Sequence, residues 1–373
     1  MMTDATIAPK PALSEGQRNW LVTIVVLAAV IGGLTFATTR GLIGPNDWIY
    51  KILVDPFVTM WGLPDLFIQT VWEGFVAGVL YALIALGFVL IFKASGVFNF
   101  AQGIMVVFAA LSLVGIYEIL TLKLGLPPGH VAAFVAVVAA VGIMLILSIA
   151  VERAVLRPLV NQPDIIMLMA TVGLSYFLTG FGEYVFGGNP KVMITAQLGL
   201  PTGSSTFDVP GGRISLQHLD MAAAVIAVAM IVVLALFFQY TRIGRALRAV
   251  ADSHKAALSV GISLNQIWVI VWFTAGIVAL VTGIMWGARS DVSFALETIA
   301  LKALPVLILG GFTSVPGAIV GGLIIGIGEK LGEFYWGPLL GGGIETWLAY
   351  IIALIFLMFR PQGLFGDKII ERI

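Results

Sequence analysis

Apolar residues fall in long runs along this chain rather than in strand-like alternation. The runs 20–37, 66–92, 98–120, 130–151, 164–186, 218–240 and 265–288 each approach or exceed twenty residues. As helices they are long enough to cross a hydrocarbon layer of roughly 30 Å. Two shorter apolar pieces follow, "TIALKALPVLILGG" and "PGAIVGGLIIGIGEK", split by "GGFTSVPG", and a last run covers 345–359. Continuous apolar runs satisfy their backbone groups in lipid as helices, not as barrel strands. The pattern therefore predicts an all-α polytopic membrane protein of about ten membrane segments. Two of these are short, either crossing as a hairpin or re-entering. The stretch 187–217 is rich in Gly, Pro, Ser and Thr and reads as a long loop with room for a small hairpin.

Basic residues orient the segments. With the N-terminus in the cytoplasm, Lys93, Arg153, Arg157, Arg242, Arg245, Arg248, Lys255, Arg360, Lys368 and Arg372 all fall inside, together with Lys10 and Arg18. Both termini are then expected in the cytoplasm. A signal peptide competes for the run 20–37, but its apolar part is long and no A-x-A site follows. A retained first helix is the expectation. Trp48, Tyr50 and Trp61 read as interface anchors in an external segment. The chain thus divides into 1–66 (tail, extra first helix, external segment), a main membrane domain 67–366, and a cytoplasmic tail 367–373.

Composition narrows the chemistry. The chain is 60% hydrophobic and only 11% charged, with a mean hydropathy of +1.05. Its 43 glycines suit closely packed membrane helices. Twenty basic residues balance twenty acidic ones, so net charge gives no hint of nucleic acid, and the apolar runs point to a lipid bilayer instead. Cysteine is absent, which removes thiol chemistry, disulfides and Fe–S clusters. His130, His218 and His254 have no metal-ligand spacing. No GxxxxGK[ST] loop is present, so an ATP drive requires another chain. No nucleophile–base or metal constellation indicates an enzyme. Glu73, Glu118 and Glu183 lie toward the outer ends of their spans, and acids look scarce at the midplane. That argues against proton coupling.

The stretch "TRIGRALRAVADSHKAALSVG" (241–261) stands out as basic between apolar spans. On one helix, Arg242, Arg245, Arg248, Asp252 and Lys255 share a face. Ile243, Ala246, Leu247, Val250, Ala257 and Leu258 share the opposite one. Three readings stand: a positive-inside loop lying on lipid, a lipid-headgroup or calmodulin-like target, and a docking helix for a soluble partner.

Other polar positions are candidates for a path or gate. "FNFAQG" places Asn99, Gln102 and Gly103 at the start of the third span, to bond a helix end or line an inner gate. Thr171, Ser175 and Thr179 form a polar stripe at i, i+4, i+8, facing a path or back-bonding to their own helix. Gly310, Gly311, Ser314 and Gly317 punctuate the split between the short pieces, as a tight turn or a hinge. Lys302, inside an apolar piece, is expected to snorkel or to pair with an acid such as Glu297.

In order and interval, "SGVFNFAQG", "ERAVLRPL", "TRIGRALRAVADSHKAALSVGI", "LILGGFTSVPGAIVGGLIIGIGEK" and "FRPQGLFG" resemble the inner-membrane permeases of branched-chain amino-acid ABC importers. That family also includes urea and short-amide permeases. The resemblance covers about 67–366. It implies a passive translocation subunit of a bacterial inner membrane, working with a second related permease, two cytoplasmic ATPases that hold ATP and Mg, and a periplasmic solute-binding protein. "KAALSVG" is similar to the A-A-x-x-x-G core of the family's ATPase-docking loop. This implies an ATPase-coupling helix at Arg242, Gly244, Arg245, Arg248, Ala256, Ala257 and Gly261, with Lys255 where the motif has an acid. An energy-independent facilitator for urea or a small amide is the competing function.

Overall fold

The structure, a computed structural model, describes residues 47–159, 162–360 and 362–366, with the side chains of Asp164, His254 and Lys255 left aside. The expected first span, 20–37, and the tail 367–373 lie outside the described residues. By contact the chain divides into two compact units, Met1–Leu63 and Pro64–Ile373. In the first unit two short helices, α1 (Trp48–Leu53) and α2 (Asp55–Gly62), are described. They leave Trp48 and Trp61 exposed.

The second unit is a helical bundle. Its long helices are α3 (Pro64–Ser95), α4 (Gln102–Glu118), α5 (His130–Val151), α6 (Asp164–Phe186), α7 (His218–Tyr240), α10 (Leu264–Ser290) and α13 (Val315–Leu340). A π-helical turn extends α4 over Ile119–Lys123 and another extends α5 over Glu152–Leu156. Among the described residues these seven helices are long and apolar enough to cross a membrane, and α14 (Glu345–Phe359) is a shorter apolar helix. Between α6 and α7 the strands β1 (Ser204–Val209) and β2 (Gly212–Gln217) pair antiparallel, with Ser204 opposite Gln217. This is the small hairpin expected in the loop.

The helix α3 is the axis of the bundle. It is apolar on every side and every residue from Val76 to Ile91 is buried, as a helix without a polar face must be. It crosses α13 through glycines: Gly74 and Gly78 meet Gly322 and Gly326. A Cβ on Gly78 would lie 2.7 Å from the Gly322 oxygen, and one on Gly326 only 2.3 Å from the Gly78 nitrogen. Small residues four apart on both helices let the backbones touch.

The two short apolar pieces are not alike. The first breaks into α11 (Leu296–Leu301) and α12 (Ala303–Gly310) on either side of Lys302. The second is no short piece: it runs on through "LGEFYWGPLL" as the full-length α13. The sequence reading stopped it at Glu329–Lys330, where charge begins. Charge does not end the helix, because partners outside it satisfy Glu329, Lys330 and Glu333. Lys330 pairs with Glu345 at 2.7 Å, and the Glu333 carboxylate accepts from the Gly343 and Glu345 amides at 2.8 and 2.9 Å. Those are free donors of a helix N-terminus.

The stretch after α7 is likewise two helices, α8 (Arg242–Asp252) and α9 (His254–Ser259), not one. Ser253 interrupts them in an extended conformation, and its hydroxyl accepts from the Ala256 amide at 3.3 Å. Serine competes for backbone donors and so starts helices better than it continues them.

Candidate functional site

One end of the bundle gathers the segments singled out above. The chain leaves α7 through an elbow. The Thr241 hydroxyl accepts from the Gly244 amide at 3.1 Å, capping α8. Gly244 is buried so tightly that a Cβ would fall 1.9 Å from the Phe238 oxygen. Leu247 and Val250 turn into the bundle and Ala257 is buried beside them, as the apolar face requires. Leu258 does not follow: the break at Ser253 rotates it outward, and it is 54% exposed. Ala256 is exposed, and Gly261 ends the segment with φ +82°.

The arginines of the polar face differ from one another. The Arg245 guanidinium donates to the Tyr240 oxygen at 3.2 Å, and Arg248 donates to the Phe238 and Gln239 oxygens at 2.7 and 3.4 Å. Both cap the last carbonyls of α7, where a cation also meets the negative end of the helix dipole. Arg242 is exposed and makes no hydrogen bond or ion pair among the described residues. Thr241→Ala is expected to cost about 1 kcal/mol of stability through loss of the cap, read as a small drop in melting temperature in detergent.

Beside the elbow a groove of about 620 Å³ runs from Lys93 and Gly96 past Asp252 and Ser253 to Thr313, Ser314 and Phe365. Its far wall is the turn "GGFTSVPG". Gly310 and Gly317 face each other there, and a Cβ on either would lie 2.3 or 2.1 Å from the other's oxygen. Ser314 caps α13 by accepting from the Gly317 amide at 3.0 Å. Gly311 has φ +101°. The segment after α14 laces onto this turn: the Leu364 amide donates to the Leu309 oxygen at 2.8 Å, and Phe365 to Gly310 at 3.1 Å.

An aromatic cluster links the turn to "FNFAQG". Phe98 lies 4.9 Å from both Phe88 and Phe100 and 6.3 Å from Phe312, which is 5.5 Å from Phe92. Asn99 is buried, and its carboxamide oxygen accepts from the Ala101 amide at 3.1 Å, a local turn that starts α4. Gln102 is fully buried; its Nε2 donates to the Ala275 oxygen at 3.4 Å, while its Oε1 finds no partner among the described residues. Thr171 accepts from the Phe100 amide at 3.2 Å and donates to the Leu168 oxygen at 2.8 Å. Ser175 donates to Glu297 at 3.2 Å, and Gly103 packs on the same glutamate. Thr179 back-bonds to Ser175 at 3.0 Å. Asn99, Gln102, Gly103, Thr171 and Ser175 thus form one group, and Gly310, Gly311, Ser314 and Gly317 another, joined through Phe98 and Phe312.

The expectation for Lys302 is corrected. Glu297 is engaged by Ser175; Lys302 pairs with Glu329 at 2.8 Å. Glu329, 1% exposed in the middle of α13, also accepts from the Tyr81 hydroxyl at 3.1 Å, and its second oxygen has no partner among the described residues. Tyr81 stacks on Trp286 at 5.6 Å, and the Arg289 guanidinium lies 5.4 Å from that indole. Arg289 pairs in turn with Asp220 at 3.3 Å. An acid therefore does sit within the bundle, contrary to the scarcity read from the sequence. The signal was available: Lys302 and Glu329 are charges inside apolar runs, and such charges need each other.

The described helices define a multi-pass bundle, seven of them long and apolar enough to cross a membrane. A model of the family described as "Branched-chain amino acid transport system / permease component" matches residues 70–360. The chain belongs to that family. The high-affinity branched-chain amino acid transport system permease protein LivH of Escherichia coli K12 is 29% identical, over 82% of this chain and 98% of its own length. LivH of Salmonella typhimurium is 27% identical over 82% and 98%, and BraD of Pseudomonas aeruginosa 26% over 83% and 100%. These relatives are matched along almost their entire length by about four-fifths of this chain.

Proposed function

We propose that this chain is a passive permease subunit of an ATP-driven importer of branched-chain amino acids or closely related small polar solutes. The observation that carries the reading is the family match, which spans the whole bundle and includes the elbow. In this reading the bundle end that bears Lys93, Arg242 and the "GGFTSVPG" turn faces the cytoplasm, and the β-hairpin end faces outward. The broken pair α11–α12 and the helices α13 and α14 then add three crossings to the six before them. With the expected first span this makes ten, and both termini are cytoplasmic.

The elbow α8–α9 receives a cytoplasmic ATPase subunit, one of two that hold ATP and Mg. Arg242 and the exposed Leu258 offer it a charged and an apolar contact. Arg245 and Arg248 hold the elbow to α7. The groove beside it reaches the "GGFTSVPG" turn and, through Phe312 and Phe98, the group around Gln102 and Glu297. We assign that group to the inner gate. A second related permease and a periplasmic solute-binding protein complete the assembly, which resides in a bacterial inner membrane.

The test is uptake by proteoliposomes containing the assembled importer. Arg242→Glu is expected to reduce ATP-driven leucine uptake about tenfold, the effect of losing or reversing one interfacial charge contact. Folding and melting temperature stay unchanged, because Arg242 is exposed and makes no hydrogen bond or ion pair among the described residues. Leucine flux through the purified chain alone, without ATP or partner subunits, would defeat the importer reading.

A further inference from the structure

A cleft of about 240 Å³ opens on the side of the bundle just beneath the elbow, between α3, α7, α8 and the start of α13. Its walls are apolar, with Leu86 and Leu90 on one side and Ala235 and Phe238 on the other. Two cations, Lys93 and Arg248, line it, and no carboxylate does. Lys93 is only half-buried and has no hydrogen bond or ion pair among the described residues. Asp252, the acid of the neighbouring groove, forms no ion pair with it. The Arg248 guanidinium donates to the Phe238 and Gln239 oxygens but meets no carboxylate in the cleft, so an anion is the ligand that both cations favour. Apolar walls with a cationic end match one kind of molecule: an amphiphile with an anionic head.

We infer that this cleft binds an anionic phospholipid, with its head at Lys93 and Arg248 and the start of an acyl chain between α3 and α7. Basic pockets between membrane helices on the cytoplasmic side select anionic head groups in this way. The site rests on the orientation proposed above, which brings the cleft to the cytoplasmic leaflet. The lipid is wedged against the inner side of α8, where Gly244 and Leu247 line the cleft. It therefore fixes how far the elbow settles toward the bundle, and ties ATPase coupling to the lipid around the protein.

Native mass spectrometry of the full-length chain, released from detergent with equal phosphatidylglycerol and phosphatidylcholine, tests the site. One phosphatidylglycerol is expected to be retained in preference to phosphatidylcholine. Lys93→Gln is expected to weaken that retention about fivefold, the worth of one basic residue at an anionic head group. Ala235→Phe fills the cleft while keeping both cations and is expected to abolish the retained lipid. Equal retention of the two lipids by the unaltered chain, or undiminished preference in both variants, overturns the proposal. Orientation is read separately. The chain has no cysteine, so a single Arg242→Cys reports by membrane-impermeant labelling which side the elbow occupies. A lipid site that persists with an outward elbow sinks the orientation and not the site; an inward elbow with no lipid preference does the reverse.

Discussion

Lys302→Met is expected to destabilise the protein by about 3–5 kcal/mol, seen as a large fall in melting temperature in detergent. The methionine fits the space of the lysine stem, so packing is little changed. The loss lies in Glu329, which is 1% exposed and would be left with only the Tyr81 hydroxyl. An uncompensated buried charge is far more costly than a missing pair. The double variant Lys302→Met/Glu329→Met should therefore recover most of the lost stability. A double-mutant cycle isolates the coupling, since the two residues touch. If Lys302→Met melts like the unaltered protein, the pair is not what holds the α11–α12 joint. Tyr81→Phe is expected to cost less, about 1–3 kcal/mol, because it removes one donor and leaves the ion pair intact.

Gly326→Leu is the second large effect, and it is steric. Even an alanine Cβ there would sit 2.3 Å from the Gly78 nitrogen and 2.4 Å from its Cα. These are backbone atoms of the axial helix, which cannot swing aside as a side chain does. Overpacking a core typically costs 1–3 kcal/mol, occasionally more, and a clash with backbone belongs at the upper end or beyond it. The expected result is loss of the monodisperse peak in size-exclusion chromatography. Gly142→Leu is the control: it too lies inside a spanning helix, but a Cβ there meets nothing within 4 Å among the described residues. Equal behaviour of the two variants would show that helix contact at Gly74, Gly78, Gly322 and Gly326 does not stabilise the bundle.

Local rules made much of this molecule legible. Apolar runs located the helices from Pro64 to Tyr240 within a few residues, because in lipid a run of that length has one structure open to it. The β-hairpin followed from Gly, Pro and Ser composition, and the inward turn of Leu247 and Val250 from helical periodicity. What escaped was pairing across distance. Lys302 and Glu329 belong to separate elements, and the acid chosen from the sequence, Glu297, was simply the nearer in the chain. The same limit shortened α13: Glu329 and Lys330 looked like a helix end because their partners, Lys302 and Glu345, lie in other elements. The gate candidates gave a mixed lesson. Their clustering is a tertiary fact carried by Phe98 and Phe312, whereas Asn99 and Ser314 are spent on starting helices, as their residue types favour.

The arginines that cap α7 have a mechanical consequence. Arg245 and Arg248 pin the elbow to the last carbonyls of a helix that contains neither glycine nor proline between His218 and Tyr240. Such a helix has no hinge, and at 1.5 Å per residue it is a strut of about 34 Å. Strand β2 runs into its other end without a break, and the hairpin turn rests there on Pro64 and Asp65. A tilt applied at the elbow therefore meets no glycine or proline hinge before the hairpin. The two faces of the membrane are in this sense joined by one stiff rod, and a helix-breaking residue at Ala227 would let either end move without the other.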